Sequence, residues 1–363
     1  MKPALLVDVL RDPCRIDAFI ARDWELLLSQ ARAAGLHGAL PFLLDDAGVD
    51  VPPAPREHLD WLRTEALRHR DSMRNEVRLI AQALAQGGRR AEPLLLLKGA
   101  AYLMADLPLA RGRLFGDVDI LVPKIDLQAV ERALVLHGWA CTKQDAYDQR
   151  YYREWMHELP PMKHLHRGSS IDVHHAILPE TAASRPDPDL LRAAALPIPG
   201  ADGLWMLAPQ DMLLHSAVHL FSESEMEHGL RGLLDIHRLL SHFGGDPGFW
   251  EGLPERARQL QLTRPLFYAL RYSSRLLGST VPVATLAEAA RLGQPGTWLL
   301  RLMDALFMRA LLPPHASCAD GATPAALKAL YLRGNWLRMP PVMLARHLFH
   351  KAFISGLKQE DVV

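Results

Sequence analysis

The sequence predicts a helix-rich α+β protein in which a small strand-bearing unit lies between two helical regions. Three observations predict it. Residues 1–90 place apolar side chains at helical spacing, and residues 91–178 switch to short apolar runs bounded by Pro and Gly. Residues 179–363 then return to helical patterning. The expected organisation is an N-terminal helical region (1–90), an α/β core (91–178) and a C-terminal helical domain (179–363).

In the first region Ile16, Phe19, Ile20, Trp24, Leu27 and Leu28 recur at helical spacing. Val51-Pro52-Pro53-Ala54-Pro55 interrupts them, and a long helix is expected from about Glu57 to Gln86, closed by Gly87-Gly88. In the middle, Leu94-Leu95-Leu96-Leu97 between Pro93 and Lys98-Gly99 reads as a buried strand. Asp117 to Val122, stopped by Pro123, is a second strand, and Asp126 to His137 is a helix ending at Gly138. Trp139 to Thr142 is a third strand. Lys163–His166 and Ser170–Ala176, around Arg167-Gly168-Ser169, make a hairpin. From about Pro186 the pattern is helical, punctuated by Pro313-Pro314 and Pro340-Pro341.

Bulk properties narrow the function. A chain of 363 residues with 49% hydrophobic content can bury one large core or two to three modest ones. Lys+Arg and Asp+Glu both number 41, a balance that argues against general nucleic-acid binding while leaving room for a local basic cleft. Cys14, Cys141 and Cys318 are far apart and odd in number, which fits a reducing compartment. The N-terminal apolar run meets Asp8 too early for a signal peptide, and no stretch approaches the roughly 18 apolar residues of a membrane span. The expectation is a soluble, cytoplasmic protein.

The chemistry concentrates in Gly116-Asp117-Val118-Asp119-Ile120-Leu121-Val122. On a strand Asp117 and Asp119 share one face, where two carboxylates can converge on a hard cation such as magnesium. A solvated acidic edge is the alternative, and the apolar continuation Ile120-Leu121-Val122 argues against it. In Ser170-Ile171-Asp172-Val173-His174, Asp172 and His174 likewise share a face. If that strand lies beside the first, Asp172 reaches the metal site and can act as general base. Lys98-Gly99 links a strand to a helix, where backbone amides approach phosphate. Lys98, Gly99, Arg113 and Gly116 are the phosphate-binding candidates. Arg111, His174, Arg231 and Asp235 are candidate cleft residues. His215 and His219, four apart on a helix, have zinc-compatible spacing without the metalloprotease glutamate, so a structural or acceptor-site role is expected. The basic end Arg346 to Lys351 reads as a packed terminal helix.

In this order, the residues resemble the nucleotidyltransferase superfamily of DNA polymerase β. More narrowly, they resemble bacterial nucleotidyltransferase-family proteins of largely unassigned substrate. Asp211–His219 and Gly229–Asp235 also look like helical segments of that group. The resemblance implies a short mixed sheet flanked by helices and two-metal nucleotidyl transfer. Asp117 and Asp119 would hold the metals, Asp172 would complete the site and Gly99 would lie near the phosphates. The sequence departs from the superfamily at Ala100, where the phosphate turn usually reads Gly-Ser or Gly-Gly, and the gap from Gly99 to Asp117 is longer than in minimal members. The expected activity moves an NMP from an NTP, with Mg2+ (or Mn2+), to an unidentified small molecule, sugar, peptide or protein, releasing pyrophosphate. An Asp-x-Asp glycosyltransferase using a sugar nucleotide, or a degenerate nucleotide-binding or regulatory protein, are the alternatives.

Overall fold

Short apolar runs pair into a sheet that the helices enclose. The structure is a computed structural model that describes residues 4–87, 93–142, 149–340 and 344. Gly88 and the basic stretch Arg346 to Lys351 lie outside the described residues. Among the described residues seven strands form one mixed sheet: β1 Leu94–Leu96, β2 Asp117–Leu121, β3 Trp139–Cys141, β4 Met162–His164, β5 Ser170–His174, β6 Leu196–Pro197 and β7 Leu204–Met206. Their order is β3-β4-β5-β2-β1-β7-β6. The hairpin read around Arg167-Gly168-Ser169 is β4–β5, paired antiparallel. β2 runs parallel to β5 and antiparallel to β1, so it sits in the middle. Val118, Ile120, Ile171 and Val173 carry the apolar face of that central pair and are almost wholly excluded from solvent.

Two strands fall where helical pattern was expected. β6 and β7 come from beyond residue 178, and β7 pairs parallel to β1, with Leu94 opposite Leu204 and Leu96 opposite Met206. At two and three residues they are too short to show a period.

The N-terminal part comprises α1 Leu5–Arg11, α2 Ala21–Ala33, α3 Leu40–Asp46 and α4 Pro53–Gln86. The last begins four residues earlier than expected, because proline is well accommodated in a first helical turn. Gly87 follows it where a Cβ would stand 2.3 Å from that of Ala133, so close packing requires glycine here. α5 Lys98–Met104 and α6 Leu127–Leu136 pack between α4 and the sheet. After α7 Pro188–Ala193 come α8 Pro209–Ser222, α9 Gly229–Phe243, α10 Pro247–Gln259 and α11 Thr263–Leu277. α12 Val283–Gly293, α13 Thr297–Ala310 and α14 Thr323–Arg338 complete the described helices. α8 is central to this part, packing on α9, α10, α11 and α14. The N-terminal helices join it: α1 packs on α11, and Gln30, fully buried, accepts from the Leu6 amide at 2.9 Å and donates to Ser317 Oγ at 2.7 Å. No described helix is long and apolar enough to cross a membrane.

One buried ion pair ties α8 to its neighbours. Asp211 is fully buried and receives two bonds from Arg256 at 2.7 Å, while Arg256 also donates to the Leu190 carbonyl at 2.9 Å. Arg256→Leu should therefore cost about 3–5 kcal/mol by leaving Asp211 buried without a partner. In thermal unfolding the single variant should melt well below wild type, and adding Asp211→Asn should restore much of the loss. An unchanged melting temperature in Arg256→Leu would refute this.

Candidate active site

The parallel register of β2 and β5 sets Asp117 opposite Ser170 and Asp119 opposite Asp172. The three aspartates singled out in the sequence thus share one face of two adjacent central strands. Asp119 is 4% exposed, and three carboxylates gathered so closely need compensation. Lys98 supplies part of it, with its Nζ 3.1 Å from Asp119 Oδ1. It does so from a left-handed backbone (φ 44°), a conformation that costs a non-glycine residue about 1–2 kcal/mol. His174, buried, supplies more: its Nε2 lies 3.0 Å from Asp119 Oδ1 and its Nδ1 lies 3.1 Å from Glu158 Oε2.

These contacts separate the carboxyl groups electrostatically. Burial would raise Asp119, but Lys98 and His174 outweigh it and hold it far below the usual carboxylate range. Burial raises Asp172, and the charges of Asp119, Glu158 and Asp117 push it further, to about 7. Asp117 is raised by burial and by Asp119. Burial opposes the charge on Lys98, yet Asp119, Glu223 and Asp117 together keep its pKa above the ordinary value. His174 is also raised, because its bond to Asp119 and the charge of Glu158 overcome burial.

A cleft of about 360 Å3 opens beside this face, between the sheet and helices α8 and α9. Lys98, Gly99, Arg113, Gly116, Asp117 and Asp119 line it from the sheet side, and Arg231 and Asp235 from α9. Arg113 donates from Nε to Asp235 Oδ2 at 3.1 Å, and its guanidinium lies 5.2 Å from the Phe115 ring centroid. Tyr102 OH meets Ser216 Oγ at 2.7 Å across the same seam. Arg111 is not brought to the cleft: it pairs with both carboxylate oxygens of Asp46 at 2.8 Å and lies over Phe42. His215 is buried in α8, while His219 lines the cleft, 3.9 Å from Glu223 Oε1. Neither belongs to a metal-capable group among the described residues.

Sequence reasoning missed Glu158 and Glu223. Glu158 lies in a segment of no readable period and reaches His174 only through the isolated bridge it forms there. Glu223 follows the end of α8 and shows no pattern that marks it.

The donors suit a divalent cation. Asp119, Asp172 and His174 offer ligand atoms all within 4.8 Å of one another, and Asp117 lines the cleft beside them. The cleft wall carries six carboxylates (Asp117, Asp119, Glu223, Glu225, Glu227 and Asp235) against the cations Lys98, Arg113 and Arg231. A polyphosphate would meet net repulsion there unless metal charge came with it.

Such a sheet, with paired strand carboxylates over a cleft closed by helices, is the arrangement expected of a nucleotidyltransferase. The model of a family described as "uncharacterised nucleotidyltransferase" matches residues 21–278, and the chain belongs to that family. The matched span contains every strand of the sheet and all the cleft residues named above. No curated protein and no solved structure matches the chain.

Gly99 plays a different part from a bare phosphate turn. A Cβ on it would stand 2.5 Å from Phe115 Cδ1 and 2.6 Å from Arg113 Nη1, so its absence lets Arg113 cross the start of α5. Gly-to-Ala inside a helix ordinarily stabilises by about 0.5–1 kcal/mol. Gly99→Ala should do the reverse and destabilise by about 1–3 kcal/mol through overpacking. Gly116→Ala, with nothing within 4 Å of its Cβ, should leave the melting temperature nearly unchanged. Equal effects of the two variants in a thermal melt would refute the packing role.

Proposed function

We propose that the protein transfers an NMP from a magnesium–NTP to an acceptor hydroxyl or similar nucleophile, releasing pyrophosphate. The in-register pairing of Asp119 with Asp172 carries this reading, because it converges three carboxylates beside a cleft that also holds Lys98, Arg113 and Arg231. Asp117, Asp119 and Asp172 would hold the metal ions. Bound magnesium supplies charge neutralisation at the phosphate oxygens and lowers the barrier for displacement at the α-phosphorus.

The chain's own groups do the rest. Asp172 takes the proton of the acceptor as its oxygen bonds to the α-phosphorus and the bond to the β-phosphate oxygen breaks. Lys98 and Arg113 steady the departing pyrophosphate. Arg231 on α9 faces them from the opposite wall, so closure of the helical part over the nucleotide would exclude water. His174 keeps Asp119 oriented through its bond to Oδ1. Ala100 is buried in α5 and offers no hydroxyl, so side-chain cations carry a larger share of the triphosphate contacts.

The test is a thermal-shift panel of ATP, GTP, CTP and UTP with magnesium. A nucleotide at about 100 times its dissociation constant should stabilise wild type by about 2.7 kcal/mol. The shift should require magnesium and vanish in Asp117→Asn/Asp119→Asn. Pyrophosphate release with the nucleotide so identified should fall by at least about 100-fold in Asp172→Asn. No magnesium-dependent shift with any of the four would overturn the reading.

A further inference from the structure

Beside the aspartates, at the end of β5, lies a second group of donors, of which nucleotidyl transfer uses only His174. His157, Glu158 and His174 present ligand atoms all within 4.8 Å of one another. His157 is 9% exposed, and its Nδ1 is buried with no hydrogen-bond partner among the described residues, which is costly for a polar atom unless something binds it. Its ring stacks on that of His174 at 5.3 Å. The backbone fixes all three: the His175 amide donates to the His157 carbonyl at 2.8 Å, Glu158 bridges His174, and the Leu159 amide donates to the Val173 carbonyl at 2.9 Å. The ligands therefore stand on paired backbone at the end of β5.

We propose that His157, Glu158 and His174 form a separate site for a borderline transition-metal ion of the zinc, cobalt or manganese type. Two imidazoles and one carboxylate suit such ions, whereas magnesium prefers the all-oxygen set of Asp117, Asp119 and Asp172 beside them. His174 is placed to serve both centres. With Nε2–H donating to Asp119, its Nδ1 lone pair faces Glu158, the side on which His157 stands. That is the carboxylate–histidine–metal relay in which the outer carboxylate fixes the tautomer and strengthens the ligand. Here the outer carboxylate is Asp119 itself, so the ion at this site would hold the aspartate face in register. The site does not require the nucleotidyl-transfer reading, since none of its three ligands lines the cleft.

The test titrates the chelator-treated full-length protein with Co2+ and follows its visible d–d absorption, with zinc content after dialysis as a second measure. Wild type should take up one equivalent that excess magnesium does not displace. Glu158→Gln and His157→Phe, the second retaining the stacked ring, should lose it. Asp119→Asn should weaken it by about 10–100-fold through the outer contact, and Asp117→Asn should leave it intact. Circular dichroism on each variant establishes that it is folded. Absence of uptake by wild type, displacement by magnesium, or an unchanged cobalt spectrum in folded Glu158→Gln would overturn the proposal. The magnesium–nucleotide shift is measured separately, so failure of one centre is distinguishable from failure of the other.

Discussion

The parallel contact between β2 and β5 is the constraint on which the rest of the structure depends. It brings carboxylates from two strands to one buried face, a like-charge arrangement that no sheet tolerates without counter-charge. Each neighbouring feature answers that demand. Lys98 takes a left-handed backbone to reach Asp119, and His174 bonds the same oxygen from the other side. Glycine at position 99 leaves room for Arg113, whose charge is met in turn by Asp235 on α9. The opposite face of the same strands is wholly apolar and anchors the core. One pair of strands thus joins the carboxylate site to the hydrophobic core.

The helical parts extend this logic. α8 and α9 form the far wall of the cleft and bring Glu223, Arg231 and Asp235 to it. α8 is itself pinned by the buried Asp211–Arg256 pair, and α1 docks on α11. The site therefore rests on a scaffold drawn from both ends of the chain.

Much of this was legible in the residues. Asp117-Val118-Asp119 and Ile171-Asp172-Val173 announce their faces by alternation, and the Arg167-Gly168-Ser169 turn announces the hairpin. The long α4 and the glycine after it were equally plain, apart from the extra proline-containing turn at its start. What was not legible depends on partners far away in sequence. β6 and β7 are too short to carry a period, and β7 acquires its identity from pairing with β1 and β6. Arg111 and Arg113 look equivalent in the loop, yet Asp46 holds the first outside the cleft and Asp235 holds the second within it. Glu158 lies beside His174 only because an isolated bridge brings two distant segments together.

The seat of β1 between β2 and β7 has a practical meaning for anyone dissecting the chain. Leu94, Leu95 and Leu96 are buried because Leu204–Met206 closes the outer side of their strand. A fragment cut after the hairpin at residue 178 would keep all three aspartates yet bare a row of leucines and unpaired amides along a free edge. Such an edge invites intermolecular pairing. The smallest excisable unit therefore extends through β7, and its boundary is drawn by sheet closure, well past the last of the three aspartates.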